Sequence, residues 1–225
     1  MAKEDKRDRL VEIALDLFTA NGCNGVTMDD IAQAAHISKR TLYETFAGKE
    51  ELLAECLMLV HQRIDEQHRQ AHRRVDEPML VAMYMLREGS AVNKRYARLL
   101  SESRRYYPEI HNRFFSMHTE RLKEVLHKGF DYMKGHGYLR EKVDEEVAVD
   151  FLCDFVQRWC TTQTDNWQTA DRYLNEVCFT YLRGTMNTEA IARYEENEVH
   201  FKSLLEELRS TPSTTTASEE RKETK

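Results

Sequence analysis

A short polar run near residue 40 has the side chains with which proteins read double-stranded DNA. Lys39 and Arg40 can donate hydrogen bonds to guanine O6 and N7, and Thr41 can offer a hydroxyl or a methyl group. Ser38 stands just before them, and Tyr43 just after them carries a hydroxyl suited to a phosphate oxygen. These residue types at this spacing predict base-reading chemistry, provided that a helix carries them into the major groove.

The elements around this run have the pattern of a helix-turn-helix over residues 27–46. Thr27 and Asp30 form a capping-box pattern that opens a short first helix, and Ser38 can cap a second helix that runs to about Phe46. The positions where the two helices would pack are small or apolar: Ile31, Ala32, Ala35, Ile37 and Leu42. Short capped helices of this kind also occur in ordinary helical bundles, so the spacing alone leaves both interpretations open.

Two further helices frame the motif. An apolar stripe at helical spacing predicts a first helix, with Leu10, Ile13, Ala14, Leu17 and Phe18 on one face. This helix should end at Asn21-Gly22, where a left-handed residue fits. A fourth, long helix is predicted after Gly48 and continues to about Arg74. The Lys49 side chain and the first N–H groups of that helix can donate to DNA phosphates.

The composition favours a helical protein without a general attraction to nucleic acid. Eight glycines and three prolines among 225 residues are too few to punctuate the turns of a barrel or a sandwich. With 33 basic and 39 acidic side chains the net charge is −6, and residues 1–50 hold more acidic than basic side chains. The window from His36 to Lys49 is positive, so a DNA-binding surface has to be local.

The chain carries no sequence signal for a membrane or for secretion. Its longest apolar run, Met79 to Leu86, is too short to span a bilayer, and no apolar secretory region follows the charged first ten residues. Five cysteines without a C-x-x-C pair favour a reducing compartment over a disulfide framework or an ordinary zinc site. We therefore expect a cytoplasmic protein without a membrane partner.

Four pieces of the N-terminal sequence together resemble one family. The pieces ALDLF, VTMDDIAQAA, ISKRTLYETF and KEELL follow one another between Leu10 and Leu53, and this arrangement closely resembles the DNA-binding domain of the TetR (tetracycline-repressor) family. The resemblance implies an all-α homodimer in which an N-terminal helix-turn-helix domain of three helices is joined by a long helix to a larger helical domain for ligand binding and dimerisation. It also implies regulation of transcription, most often repression of an inverted-repeat operator that a small-molecule effector relieves.

Carried over to this sequence, the DNA contacts of the family fall on residues of the helix-turn-helix and on the start of the fourth helix. They are Thr27, Ser38, Lys39, Arg40, Thr41, Tyr43 and Lys49. His36 stands where the family usually has a glycine in the turn, and a left-handed conformation is expected there. Asp29 and Glu44 lie close to the expected DNA surface, where each can either select for cytosine N4 or discourage phosphate contact.

The remaining chain is expected to form one larger helical unit. We assign residues 4–64 to the DNA-binding domain, 65–209 to the ligand-binding and dimerisation domain, and 210–225 to a disordered tail rich in threonine, serine and charge. Helices near 144–161 and 169–183 have apolar arcs wider than one intramolecular contact requires. The predicted dimer interface on them comprises Leu152, Val156, Leu174, Cys178, Tyr181 and Leu182. The alternative is that both helices are central to one subunit.

Soft and aromatic side chains in the same domain are candidates for a pocket that takes a largely apolar effector. They are Met83, Tyr84, Phe114, Met117, His118, Phe151, Phe155 and Trp159. Plain core packing is the alternative for any one of them. His118 is the polar residue on an otherwise apolar stripe, and we interpret it as a hydrogen-bonded core histidine.

No motif in the sequence supports catalysis, a cofactor or a metal. There is no glycine-rich phosphate loop, no H-E-x-x-H and no nucleophile elbow. Helical spacing makes His61, Asp65, His68 and His72 a conceivable metal site, but their polar neighbours favour a solvated helix face. Two other classes stay open beside a regulator: a helical interaction or adaptor protein with a degenerate DNA-binding motif, and an enzyme on a helical scaffold, which would need a buried ionisable pair.

Overall fold

The computed structural model describes residues 3–74, 77–162, 172 and 174–196, and helices dominate them. The first four are α1 (Lys3–Asn21), α2 (Met28–Ala34), α3 (Lys39–Tyr43) and α4 (Lys49–Arg74). Three longer ones follow: α5 (Pro78–Tyr106), α6 (Pro108–Gly135) and α7 (Glu145–Thr162). The helix α8 begins as a π-helix, Leu174–Phe179, and continues as an α-helix, Thr180–Thr185, and α9 spans 188–196. Within the described ranges there is no β-strand, and an isolated antiparallel bridge joins Leu139 to Met186.

The N-terminal helices confirm the predicted order. On the predicted apolar stripe of α1, Leu10, Ala14 and Phe18 are buried, whereas Ile13 and Leu17 are half-buried. The helix ends at Asn21 because Gly22 adopts the left-handed conformation, with φ of +80°. One boundary differs from the prediction: α3 ends at Tyr43 instead of about Phe46. The chain leaves the helix there through a tight turn, and Phe46, 1% exposed, becomes part of the core.

The larger helices begin and bend where the sequence has local reasons for it. Pro78 and Pro108 occupy the first turns of α5 and α6, where a missing N–H is no loss. Inside α5, Tyr96 departs from helical geometry with φ of −109° and ψ of 18°, so the helix is kinked there. The predicted helix near 169–183 corresponds to α8, although most of its first residues lie outside the described ones. The predicted tail at 210–225 lies wholly outside the described residues.

A single buried core runs from the N-terminal helices into the larger ones. The helix α4 is the shared element, since it packs against α1 in the first unit and against α5 and α6 in the second. Its buried stripe from Leu53 to Ile64 matches the predicted face. A displacement of α4 would therefore be felt on both sides. None of the helices in the described part of the chain has the length and apolar character needed to cross a membrane.

Candidate nucleic-acid interface

The start of α2 is fixed by a reciprocal capping box. The Thr27 hydroxyl accepts the Asp30 N–H at 3.2 Å, and the Asp30 carboxylate accepts the Thr27 N–H at 2.8 Å. The Thr27 hydroxyl also donates to this carboxylate at 2.7 Å. These hydrogen bonds, with that of the Thr27 hydroxyl as the largest cause and that of the Thr27 N–H as the next, hold the pKa of Asp30 below its usual value. The predicted cap is confirmed, and it positions the helix that crosses behind α3.

The turn between α2 and α3 passes through a left-handed residue. His36 has φ of 54°, the conformation expected from its place in the turn. The Ile37 N–H, just after it, donates to the Ala32 carbonyl at 3.0 Å and closes the turn. Histidine adopts this backbone region more readily than most side chains other than glycine, asparagine and aspartate. The turn between α2 and α3 therefore forms with a histidine at the position where the resembled family usually has a glycine.

The first turn of α3 is capped by Ser38 as predicted. Its Oγ accepts the Thr41 N–H at 3.1 Å, and the two hydroxyls lie 2.8 Å apart. The Thr41 hydroxyl is thus engaged with the cap, which leaves the Thr41 methyl group as its other feature for base contact. The cap fixes the end of α3 that a recognition helix presents to the major groove.

Two cations project from this end of α3, and each is paired with a carboxylate. The side chains of Lys39 and Arg40 are 58% and 88% exposed. Lys39 Nζ lies 2.7 Å from Asp29 Oδ1, and Arg40 Nε lies 2.9 Å from Glu44 Oε1. The hydrogen bond with Asp29 raises the pKa of Lys39, which keeps its ammonium charged. Both acidic residues therefore hold the cations in place on the open surface.

The predicted phosphate contacts are in part occupied by the chain itself. Tyr43 is exposed, at 47%, and available to a phosphate. Lys49 is half-buried and donates to the Asn24 carbonyl at 3.2 Å. The Ala47 N–H, just before α4, donates to Glu51 at 2.6 Å. A phosphate at the start of α4 would have to draw Lys49 away from the loop between α1 and α2.

Sequence analysis missed an arginine that ties α1 to the end of the motif. The Arg7 guanidinium donates to the Thr45 carbonyl at 2.7 Å and to Glu51 and Glu55 at 2.9 Å each. It also lies 4.3 Å from the centre of the Phe46 ring. The hydrogen bond from Arg7, together with that from Ala47, lowers the pKa of Glu51. Partners so far apart in sequence leave no local signal.

A second missed contact joins the larger helical unit to the N-terminal one. Glu102, on α5, accepts the Asn24 N–H at 2.7 Å, and Arg98 on the same helix donates to the Ala20 carbonyl at 3.3 Å. Gly22 lies so close that a Cβ there would strike the Glu102 carboxylate. We call Arg98 and Glu102, with residues 20–24 that they hold, the α5 clamp. It gives the two units a link besides α4.

The predicted pocket residues do not all face the interior. Met83 and Phe114 are buried in the core, at 1% and 4% exposed, and Met117, His118 and Phe155 are half-buried. Phe151 is 41% exposed. The side chains of Tyr84 and Trp159 lie outside the described residues.

On α7 and α8, the apolar row predicted to form the dimer interface faces the core, and the neighbouring apolar row is the exposed one. Leu152, Val156, Cys178 and Leu182, assigned to a dimer interface, are buried within this one chain. The neighbouring row is the one left open: Val147 is 61% exposed, and the exposed Phe151 ring lies 4.7 Å from that of Tyr181. Tyr181 is half-buried, and the side chain of Leu174 lies outside the described residues.

The histidine-bearing face of α4, which the sequence favoured as solvated, is buried at His68 and half-buried at His61 and Asp65. His68 is 1% exposed because α6 packs on this side, and its ring centre lies 6.2 Å from that of His118. At His118, which the sequence analysis interpreted as a hydrogen-bonded core histidine, the Nδ1 atom is buried without a hydrogen-bond partner in the described structure. In the described ranges, no three metal-binding side chains are grouped to hold an ion. His72 has a side chain outside those residues.

Known proteins share both the N-terminal sequence and the fold. A family model described as "Bacterial regulatory proteins, tetR family" matches residues 10–56. The chain is 25% identical over 194 residues to the uncharacterized HTH-type transcriptional regulator YdeS of Bacillus subtilis (strain 168), which covers 83% of this chain and 93% of that protein. It is 27% identical over 161 residues to the HTH-type transcriptional repressor KstR2 of Mycobacterium tuberculosis (strain CDC 1551 / Oshkosh), which covers 66% and 76% of the two chains. The crystal structure of a gamma-butyrolactone receptor (ArpA-like protein) has the same fold, with a TM-score of 0.57, 19% identity and 91% and 97% of the two chains covered.

Proposed function

The chain belongs, through its N-terminal domain, to the TetR family of bacterial regulatory proteins, and from that premise we propose that it is a homodimeric repressor whose operator is released by a small molecule. The family points to a DNA-binding regulator of transcription rather than to an enzyme. Because DNA is its partner, the proposed compartment is the cytoplasm.

The capped, open end of α3 is the observation that carries this proposal. Lys39 and Arg40 stand on the exposed side of a short helix whose other side, at Leu42, is fully buried. Arginine and lysine in this place can donate to guanine O6 and N7. Their present partners, Asp29 and Glu44, are exposed as well, and exposed ion pairs contribute little to stability. DNA can therefore replace those partners, and this exchange favours sequences that offer acceptors at both cations.

The open apolar row on α7 and α8 supports a homodimer. Val147 and Phe151 are large apolar side chains that the chain itself leaves exposed, and Tyr181 extends the row onto α8. A second copy brings the same row against them, as two-fold symmetry requires. Two copies then present two α3 helices to an inverted repeat whose halves lie about 34–36 Å apart, one turn of DNA.

Release by an effector is supported by the continuity of α4. The helix runs unbroken from Lys49, beside the recognition motif, to Arg74, and it packs against α5 and α6 of the larger unit. A ligand that binds better to one position of α4 shifts the population toward that position and changes the spacing of the two α3 helices. The similarity to a repressor and to a gamma-butyrolactone receptor supports repression and a small organic effector.

The experiment that tests the proposal is selection from randomised duplex DNA with the purified full chain at a stated salt concentration. We expect an inverted repeat to be enriched, with half-sites about ten base pairs apart. The K39A/R40A double variant, folded by circular dichroism, should enrich nothing. If the wild-type chain is folded and enriches no sequence, or enriches a single half-site without symmetry, the proposed dimeric repressor is wrong.

A further inference from the structure

The Arg7 side chain lies where three parts of the N-terminal unit meet: α1, the turn after α3 and the first turns of α4. Its Nη1 donates to the Thr45 carbonyl at 2.7 Å, and its Nη2 donates to the Glu51 and Glu55 carboxylates at 2.9 Å each. The centre of the guanidinium lies 4.3 Å from the centre of the buried Phe46 ring. One planar group thus contacts the turn and α4 at the same time, and its rigid fork fixes their relative positions.

The contact with Thr45 continues into α3. The Thr45 hydroxyl donates to the Thr41 carbonyl at 3.0 Å. A helix of five residues cannot pair its last carbonyls within itself, so partners outside it hold this end. Two hydrogen bonds, joined through Thr45, therefore connect Arg7 with Thr41 on the proposed DNA-reading surface, which is the exposed end of α3.

The contacts with the two glutamates continue into α4. The second Glu51 oxygen accepts the Ala47 N–H at 2.6 Å, so this carboxylate holds the chain just before α4 as well as Arg7. The hydrogen bond from Arg7, which is the largest cause, and that from Ala47 lower the pKa of Glu51 and keep its carboxylate ionised at neutral pH. The end of α3 and the start of α4 are thus tied to one anchor on α1.

We propose that Arg7 is a positioning residue for operator recognition: it sets the orientation of α3 relative to α4 and does not itself contact DNA. The assignment rests on the proposed function, because it concerns the operator that such a repressor binds. Base-reading side chains need their supporting groups to hold them within about 0.5 Å of the right place. A small rotation of α3 would therefore take Lys39 and Arg40 away from their bases.

The loss of such an anchor has a recognisable signature in DNA binding. Attraction to phosphates changes gradually with distance, so binding to DNA of any sequence tolerates a rotated α3. Hydrogen bonds to base edges weaken steeply when their distance and angle change, so binding to the operator does not tolerate it. A positioning residue therefore acts on the ratio of the affinity for the operator to that for unrelated DNA. A phosphate contact acts on both affinities and on their salt dependence.

The chain offers a matched control for the purely structural role of such an arginine. Arg63 on α4 is paired with Glu12 on α1, so it too joins these two helices. Its side chain is 28% exposed, against 33% for Arg7. Arg63 lies about four turns beyond the start of α4, on the side away from α3 along the chain. Arg63→Gln should therefore lower the free energy of unfolding, as Arg7→Gln should, without changing the orientation of α3.

The test measures the dissociation constants of the full chain for the selected operator and for a scrambled duplex over a series of salt concentrations. Arg7→Gln should weaken operator binding about tenfold or more and change binding to the scrambled duplex less than about twofold, with an unchanged salt slope. Arg7→Lys keeps the charge but not the fork, so it should still weaken operator binding about fivefold or more. Arg63→Gln should leave the ratio of the two affinities as in the wild type.

A second variant and a measurement without DNA cover the case in which Arg7→Gln unfolds, which urea denaturation detects. Thr45→Val keeps the shape of the side chain and the carbonyl that accepts from Arg7, but it removes the hydroxyl bonded to Thr41. It should lower the ratio of the two affinities about threefold or more. Hydrogen exchange of the free chain, read by mass spectrometry, should be faster over residues 38–46 in Thr45→Val and in the folded Arg7 variants, and unchanged there in Arg63→Gln.

Several results would overturn the proposal. Equal weakening on both duplexes would make Arg7 a purely structural residue, and a salt slope smaller by about one would make it a phosphate contact. An Arg7→Lys variant equal to the wild type would show that the charge alone suffices. A lowered ratio in Arg63→Gln would show that any ion pair between α1 and α4 has this effect.

The two proposals fail in different ways. A folded wild-type chain that selects no operator contradicts the proposed function itself, and the role of Arg7 falls with it. A selected operator that the wild type and Arg7→Gln bind equally well contradicts the role of Arg7 alone.

Discussion

The DNA-reading surface and the α4–α6 interface hold their polar groups in opposite ways. On the surface, Lys39 and Arg40 are exposed and each already has a carboxylate partner. In the interface, the Nδ1 atoms of His61 and His118 are buried and have none. DNA can replace the carboxylate partners on the surface at a small cost in free energy, because exposed ion pairs are weak. In the interface, each unpaired nitrogen instead destabilises the fold, typically by about 1–3 kcal/mol. The two regions therefore differ in whether their polar groups are free to meet a partner from outside the chain.

The largest effect is expected from removing both exposed cations. The K39A/R40A variant should bind the selected operator at least about 100-fold more weakly than the wild-type chain, because each base-directed contact contributes a factor of about ten or more. A gel-shift titration at fixed salt measures this. Lys128→Ala, at an exposed position on α6, serves as the charge control and should change nothing. A loss below threefold in the double variant would show that this end of α3 does not read the operator.

The next effect is the pH dependence of the stability that a buried histidine, His111, gives to the fold. His111 is fully buried, and its Nδ1 lies 3.0 Å from Ser103 Oγ. Burial, with Arg104 as a smaller cause, lowers the pKa of His111 to about 4. Since the folded pKa lies below that of the unfolded chain, stability is lost as the pH falls from about 6.5 to 4, and the loss at pH 5 is about 2 kcal/mol.

Urea unfolding at pH 7.5 and pH 5 of the wild type and of His111→Asn measures this contribution. Asparagine keeps a donor near the position of Nδ1 but does not titrate, so the variant should lose about 2 kcal/mol less than the wild type on acidification. Identical losses in both proteins would mean that His111 takes up its proton equally in the folded and unfolded states.

A smaller effect tests whether the surface depends on local capping. Thr27→Ala removes the hydroxyl that accepts the Asp30 N–H, and it should lower the free energy of unfolding by about 1 kcal/mol. Thr27→Ser keeps a hydroxyl at the same place and should cost less than half as much. Chemical denaturation of the three proteins in parallel decides the matter, and an equally unstable serine variant would point to the lost methyl group instead of the cap.

The smallest effect probes the carboxylate beside the recognition helix. Asp29→Asn releases Lys39 from its ion pair and removes a negative charge near the DNA phosphates. We expect operator affinity to rise about two- to threefold at low salt, and the rise to fade as salt increases. Asp131→Asn, at an exposed position on α6, is the matched control. Weaker binding by D29N would show instead that Asp29 positions Lys39 for its base.

Local features of the motif could be predicted from sequence because their partners are close in the chain. The caps at Thr27 and Ser38 join residues three positions apart. The left-handed turn at His36 was expected from the resemblance to the TetR family, which usually has a glycine at this place. The order of the first four helices follows from the same kind of local signal. One boundary, at the end of α3, could not be predicted because the inward turn of Phe46 depends on the core beneath it.

Features that depend on distant partners were not predictable in this way. Arg7 and Glu51 are 44 positions apart and Asn24 and Glu102 are 78 apart, and nothing in either neighbourhood marks the pair. Periodicity identified two apolar rows on α7 but not which of them faces the core. The polar character of α4 around His68 suggested solvent, whereas α6 covers it. The spacing of apolar residues shows which residues share one face of a helix, but whether that face packs against another helix or is exposed depends on the tertiary structure.

The α5 clamp limits how freely this DNA-reading unit can be exchanged. A hybrid regulator would join the N-terminal unit of one protein to the larger helical unit of another, and α4 is the helix in which the two could be joined. A junction in α4 separates Gly22 and Asn24 from the carboxylate of Glu102 that holds them. A foreign N-terminal unit with another residue in place of Gly22 would be strained by the left-handed backbone and would displace the Glu102 carboxylate. A foreign larger unit without Glu102 would lose the acceptor of the Asn24 N–H. Successful hybrids of this chain should therefore carry residues 20–24 and 98–102 from the same parent.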